Sequence, residues 1–461
     1  MSNFWDSSVW GNINLIAVLL IGLLLGNLLK KKIPFLAKSL IPTSVLGGVL
    51  VLALSNIYRI FAGVSMFDTM FFNENGTSLA EILTYHCLAL GFIAAVFKPS
   101  EKIKKERVRD VFNTGVTTVS GYLIQGILGL GITIPWALLQ TDKFAAAGII
   151  LPFGYGQGSG QALNWGSIYE TDYGFVGGRS FGLTIAALGF LSAAIGGVIY
   201  LNIAERKGVV KRDFMEEAEV YSSEDVQKTD EIPMNGSIDK LTVQLGFVFG
   251  SYFIAYILIM LLGNLVGGLK SVLYGFNFLF GVMVATLVNF ILGKLKKGKI
   301  LQKQYINEFL MKRISGFFFD LMIVAGIAAI KIEMIKEYWL MIVVLGLVGA
   351  FATFFYNRIV AKTLFKGYAE EQFLAMYGML TGTASTGIIL LREIDKEFKT
   401  PAAENLVYQN FPAIVLGFPI MLLAATVPKQ PVFVLLIMAG LFVVLNLILF
   451  RSLIFRKKKK E

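Results

Sequence analysis

The chain has 461 residues, 56% of them apolar and 16% charged, with a mean hydropathy of +0.68. Apolar runs of bilayer-spanning length, about 20 residues each, recur along it, which marks an all-α polytopic membrane protein. The net charge of +11 then reads as Lys and Arg gathered in cytoplasmic loops rather than as a nucleic-acid surface; the single cysteine, Cys87, excludes an intrachain disulfide and a cysteine-based metal site.

Taken in order, the first apolar run, Leu15 to Leu29, has no basic residue before it and no small-residue cleavage site after it. It reads as a retained span. Residues 1–14 lack Lys and Arg and are expected outside, whereas Lys30, Lys31, Lys32 and Lys38 place the next loop inside. A second span, Ser39 to Ile57, leads out. A third, Leu79 to Phe97, returns to Lys98, Lys102, Lys104, Lys105, Arg107 and Arg109. A fourth, Val111 to Leu139, leads out again, and a later run, Phe175 to Ile203, ends at Arg206, Lys207, Lys211 and Arg212. That later run must therefore begin outside.

Phe144 to Ile168 lies between two outer ends. It is apolar enough to enter the membrane, yet crossing would invert every later loop. We expect it to be re-entrant, which is tolerated where backbone is shielded by protein or lines a cavity. Gly154, Gly156, Gly158 and Gly160 alternate with other residues just after Pro152. Each glycine costs about 1 kcal/mol in a helix relative to alanine, and proline breaks helices.

The second half repeats the pattern with opposite sense. Ala204 to Lys240 is polar and reads as a solvated linker. Spans are expected at Leu241–Val266, Val272–Leu292, Ile314–Ile332 and Tyr338–Val360, with Lys294, Lys296, Lys297, Lys299, Arg358, Lys362 and Lys366 at inner ends. Leu406–Val427 and Val432–Phe450 follow, then a basic tail with Arg451, Arg456 and Lys457 to Lys460. The tail falls inside only if Gln372 to Leu391 re-enters from the inside.

An internal repeat agrees. "YGQGSGQA" from Tyr155 and "YGMLTGTA" from Tyr377 share Y-G-x-x-[S/T]-G-x-A, and "HCLALGFIAA" from His86 aligns with "DLMIVAGIAA" from Asp320. Weak similarity between halves of opposite orientation is the signature of a secondary transporter. The expected organisation is residues 1–203 as a first repeat with a loop at 144–168, and 204–240 as linker. Residues 241–428 form a second repeat with a loop at 372–391, and 429–461 an extra helix and basic tail. This totals about eleven transmembrane helices, in two inverted five-helix repeats plus one C-terminal helix.

Most of the chain resembles the sodium/glutamate symporter (ESS) family. "IPTSVLGGVLV" from Ile41 is similar to that family's proline-then-Gly-Gly helix. "PFGYGQGSGQALNWGSIYE" and "MYGMLTGTASTGIILLREID" fall where the family has its two glycine-rich re-entrant loops. Gly156 to Gly160 reads "GQGSG", without the family's His-Gly-Thr element, and the final helix is additional to the usual ten. The resemblance implies a homodimer in the cell membrane, and the charge pattern puts its N-terminus outside and its C-terminus in the cytoplasm. The resemblance also implies elevator-like motion of a core carrying both loops, and Na⁺-coupled glutamate uptake with no cofactor beyond the coupling ion.

The loop chemistry suits such a cargo. At each mid-membrane break the second half-helix presents unpaired N–H groups and a positive dipole end to a carboxylate, and the first presents carbonyls to Na⁺. Candidate substrate groups are Ser159, Gly160, Gln161, Thr383 and Arg179. Candidate Na⁺ groups are Gly156, Ser159, Asn164, Thr381, Gly382, Ser385, Thr386 and Asp320. Ser159 and Thr381 are placed where each second half-helix begins, as N-cap residues prefer; the plain alternative is that these polar groups, Gln157 included, only satisfy broken backbone. Arg179 either meets a substrate carboxylate or snorkels to the outer surface. Asp320 either pairs with Lys312 and Arg313 or binds a cation, and His86, at the matching position, reads mainly as a packing residue.

No Gly-Lys-Ser/Thr phosphate loop follows the glycines, which argues against ATP-driven transport within this chain. An intramembrane enzyme needs a supported nucleophile or metal cluster; the one histidine and one cysteine are adjacent and isolated in sequence. A symporter or exchanger for another small organic anion, and a pore lined by both loops, are the other readings.

Overall fold

The computed structural model describes residues 3–97, 107–140, 142–211, 226–234, 236–266, 270–396 and 398–454. The basic loop expected from Lys98 to Lys105, the middle of the linker at 212–225 and the tail from 455 lie outside the described residues. Among those described the chain is helical, with one isolated bridge between Glu231 and Gln304.

The first half runs through α1 (Ser7–Lys32), α2 (Thr43–Ala62), α3 (Gly76–Val96), α4 (Val108–Leu139), α5 (Ile150–Gln157), α6 (Ser159–Tyr173) and α7 (Gly178–Arg206). The second runs through α8 (Lys240–Leu265), α9 (Asn277–Lys297), α10 (Glu308–Ala328), α11 (Trp339–Leu364), α12 (Ala369–Thr381), α13 (Ala384–Arg392), α14 (Ala402–Tyr408), α15 (Asn410–Thr426) and α16 (Pro431–Leu449). Nine helical stretches among the described residues are long and apolar enough to cross a membrane, fewer than the eleven expected. The pair α14–α15 would make a tenth if its 50° bend lies within one span. Helix α10 is not among the nine because Lys312, Arg313 and Asp320 interrupt its apolar sequence.

The helices sort into two compact units, and each draws on both halves of the sequence. The first unit takes Met1–Leu20, Tyr58–Lys102 and Met215–Gly326. Here α3, α8, α9 and α10 pack closely through small residues: a Cβ at Gly281 would lie 2.6 Å from Ile93, and one at Gly91 would lie 2.8 Å from the Phe319 ring. The Ser315 hydroxyl donates to the Gly91 carbonyl at 2.9 Å.

The end of the expected linker is exposed along most of its described residues, but it is anchored in this unit where Glu231 and Lys240 are buried. Ile232 N–H donates to the Gln304 carbonyl and Gln304 N–H to that of Asp230. Beside this bridge the Lys240 ammonium, 0% exposed, donates to Glu231 at 2.8 Å and Gln227 at 3.0 Å. Asn307 donates to the same Glu231 oxygen at 2.6 Å. A buried charge is tolerated only when paired and hydrogen-bonded in this way. The Asp230 carboxylate accepts from Lys296 at 2.6 Å, which holds its carboxyl below the usual value.

The second unit takes Ile21–Ile57, Ile103–Phe214 and Ile327–Glu461, and holds both glycine-rich segments. Helix α4 is its longest element, with 32 residues. The expected extra helix, α16, packs on it: a Cβ at Gly126 would press on Met438, and Arg451 donates to Asn113 at 3.2 Å.

Each glycine-rich segment is a helical hairpin. After α4 ends, residues Ala145–Ile149 form a 3₁₀ turn and lead into α5. Thr133 of α4 donates to the Ala145 carbonyl at 2.7 Å, and Tyr122, near the middle of α4, donates to the Gly156 carbonyl at 3.3 Å. The chain thus doubles back along α4 for about half of that helix. It turns at Gly158, and Phe153 stacks on Trp165 across the turn with ring centroids 5.2 Å apart. Helix α6 then returns beside α7. In the second hairpin, a Cβ at Gly378 of α12 would lie 2.7 Å from Gly387 Cα of α13. Nine residues of continuous helix would separate these by about 13 Å, so the chain has reversed.

Candidate functional site

The two hairpins meet on one helix. A Cβ at Gly189 of α7 would lie 2.6 Å from the Thr381 carbonyl oxygen, in the second hairpin, and 3.3 Å from Tyr155 Cα, in the first. Only a residue without a side chain permits both approaches. Glycine recurs on α7 at 182, 189 and 196, and a Cβ at each would press on Ala162, Thr381 or Tyr377 in turn. Small residues let helix backbones approach in this way.

The hairpins come to Gly189 from opposite ends of α7. Along α5, Gly154 faces Ile185 and Ala186 and Tyr155 faces Gly189, so α5 runs with α7. Along α12, Tyr377 faces Gly196 and Thr381 faces Gly189, so α12 runs against it. The tyrosines of the repeated motif converge on one residue: Tyr155 OH lies 3.0 Å from the Ser192 hydroxyl, and Tyr377 OH donates to the Ser192 carbonyl at 2.9 Å. Tyr155 also donates to the Gly346 carbonyl of α11 at 2.6 Å.

In the first turn, Gly158 has φ 81° and ψ −173°, a conformation confined to glycine. The first backbone bond of α6 runs from Ala162 N–H to the Gly158 carbonyl at 3.2 Å, so the N–H groups of Ser159, Gly160 and Gln161 precede the helical ladder. Ser159 and Gln161 are each 1% exposed. Among the described residues the Ser159 hydroxyl and both amide atoms of Gln161 have no hydrogen-bond partner. Asn164 is buried one turn further on, and a Cβ at Gly156 would press on the Tyr122 ring.

The second turn is built differently. Thr381 is not a cap: it is the last residue of α12, and its hydroxyl donates back to the Tyr377 carbonyl at 2.6 Å. The N-cap of α13 is Thr383, whose hydroxyl accepts from Thr386 N–H at 3.5 Å. The repeated motif pairs Gly158 with Leu380, whereas the second break falls at Gly382 and Thr383. The breaks are thus offset from the motif register by nearly a helical turn, although the two tyrosines keep it. Thr386 is buried and Ser385 exposed.

Arg179 is not brought to the turns. It is the second residue of α7, and its Nε donates to Ser167 at 3.1 Å while its N–H donates to Glu170 at 3.0 Å. Ser167 is about 12 Å along α6 from Ser159. Asp320 is exposed on α10 and belongs to the other compact unit. His86, in that same unit, has its Nδ1 2.7 Å from Tyr252 OH, consistent with a packing role.

Sequence reading passed over two amides beside the turns. Gln125 of α4 donates to the Leu380 carbonyl at 2.9 Å and to Thr353 Oγ1 at 2.8 Å. Asn357 of α11 donates to the Thr353 carbonyl at 2.8 Å. The available signal was an amide inside an otherwise apolar run, which is expensive in a membrane and marks function. No family model matches the chain, and no curated protein is similar to it.

Proposed function

We propose that the chain is a Na⁺-coupled secondary carrier for a small anionic amino acid, glutamate being the first candidate, working by alternating access in the cell membrane. The observation that carries this reading is the meeting of two broken helices at Gly189, coming from opposite ends of α7. Carriers of inverted-repeat design place their discontinuous helices around one mid-membrane site. In this reading the hairpins are re-entrant loops, the first from outside and the second from inside.

The N-terminus of α6 receives the substrate carboxylate through the N–H groups of Ser159, Gly160 and Gln161, with the Ser159 hydroxyl and the Gln161 amide completing the contact. The dipole of a 15-residue helix favours an anion there. Thr383, Ser385 and Thr386 supply hydroxyls from the second turn, and Gly156, Thr381, Gly382 and Asn164 supply oxygens toward Na⁺. Both turns belong to one compact unit, as an elevator-like mechanism of a homodimer requires of its moving core. A continuous pore is the less favoured reading, because oppositely directed hairpins suit two alternating half-paths.

The test is uptake of radiolabelled glutamate into proteoliposomes with external Na⁺ replaced by choline or Li⁺. The reading predicts uptake with Na⁺ and little with choline. Equal uptake in both removes Na⁺ coupling; none, alongside uptake of another organic anion, removes glutamate.

A further inference from the structure

Gln125 and Asn357 are 0% and 1% exposed, and each spends its amide nitrogen on a backbone carbonyl. The Leu380 and Thr353 carbonyls can only accept, so the nitrogens must face them and both amide oxygens turn the other way. Among the described residues neither Gln125 Oε1 nor Asn357 Oδ1 has a hydrogen-bond donor. The two side chains share one partner residue, since Gln125 donates to Thr353 Oγ1 and Asn357 to Thr353 O. Two buried carbonyl-type oxygens are thus left beside one threonine without a donor, an expensive arrangement in a protein interior.

The surroundings favour positive charge. Leu380 stands in the last turn of α12, a 13-residue helix ending at Thr381, and a helix C-terminus carries about half a negative elementary charge. Hard cations take oxygen ligands, including neutral carbonyls where these replace the hydration shell. No carboxylate is among Gln125, Thr353, Asn357 and the Leu380 carbonyl. Ca²⁺ sites are characteristically built with carboxylates, so this set suits a monovalent ion.

We propose that Gln125 Oε1 and Asn357 Oδ1, beside Thr353 and the C-terminal end of α12, form a binding site for Na⁺. The site lies apart from the residues of the two turns and deepens the carrier reading, on which only its role in coupling rests. A cation held by neutral ligands lacks a counter-charge until an anion binds at the N-terminus of α6. Each then raises the other's affinity by the same factor.

The measurement is the thermal unfolding midpoint of the full-length, substrate-free protein in detergent, titrated with NaCl while choline chloride keeps the ionic strength constant. KCl and CaCl₂ are run in parallel. The proposal predicts a saturable rise with Na⁺ and none with choline or Ca²⁺. Asn357→Leu and Gln125→Met should raise the half-saturating Na⁺ about tenfold or more by removing one oxygen ligand. Asn357→Asp, which keeps the side chain's size but exchanges the donor to the Thr353 carbonyl for a second, charged oxygen, should lower it and let Ca²⁺ stabilise the protein.

Coincident Na⁺ and choline curves overturn the site, as does a half-saturating Na⁺ unchanged in Asn357→Asp and in either apolar variant. Stabilisation by glutamate in choline chloride that is as large as with Na⁺, and equally weakened in the variants, assigns the oxygens to the substrate ammonium and overturns it too. Failure of glutamate uptake with the Na⁺ titration and its variant shifts intact counts against the carrier reading alone. Na⁺-dependent uptake with the same Na⁺ half-saturation in all variants counts against this site alone.

Discussion

Gly158 holds φ 81° and ψ −173° at the first turn, where a Cβ costs about 1–3 kcal/mol. Gly158→Ala should therefore leave the protein assembled but distort the start of α6, and Na⁺-dependent uptake should fall to background at unchanged yield. Full uptake by this variant would detach function from the turn. The two motif hydroxyls predict unequal effects. Ser159 Oγ is buried without a partner among the described residues, whereas Thr381 Oγ1 is already bound to Tyr377. Ser159→Ala should raise the half-saturating glutamate concentration several-fold, as loss of about 1 kcal/mol implies, while Thr381→Ala shifts it less than about twofold. Equal kinetics in both variants and the parent protein would show that the hydroxyls serve only packing. Sequence could single out Ser159 and Thr381 because polar groups stand out in an apolar run. It could not tell the free hydroxyl from the bonded one, since that depends on where the helix breaks and not on residue type.

At the level of elements, the hairpins were legible because three constraints coincided: basic loops on both flanks, alternating glycines, and a repeated motif. Cysteines placed at Asp142 and at Asp172, in a Cys87→Ala background, should both react with an impermeant thiol reagent from the outside. Labelling from opposite sides would mean that residues 144–168 cross. In the linker the described residues are largely exposed, as a solvated segment should be, and the anchor at Glu231 and Lys240 is the part that sequence could not give. Charge and proline in a polar stretch suggest solvation, but Glu231 finds a cation in Lys240 and a second donor in Asn307, and such pairing is tertiary. Glu231→Gln leaves the buried ammonium uncompensated, which costs about 3–5 kcal/mol. The thermal midpoint should drop sharply, and the double variant Glu231→Gln, Lys240→Met should recover much of the loss. A midpoint unchanged by Glu231→Gln would show that the segment is not held by this pair.

For the whole molecule, sequence symmetry and spatial grouping run along different lines. Hydropathy and charge divide the chain into consecutive halves, but each compact unit is assembled from both. Local periodicity carries no information on which distant helices share a unit, so this was not readable. That Gly189 receives both hairpins was not readable from sequence, because its role follows from close backbone approach on two sides. The claim uniting these scales is that two oppositely directed hairpins form one carrier site. Counterflow tests it most directly: proteoliposomes loaded with unlabelled glutamate and Na⁺ are diluted into trace radiolabelled glutamate at equal Na⁺. A carrier accumulates label transiently above equilibrium, and in Ser159→Ala the overshoot should need higher internal glutamate. Label that rises only to equilibrium, at a rate indifferent to internal glutamate, would describe a pore and contradict the account.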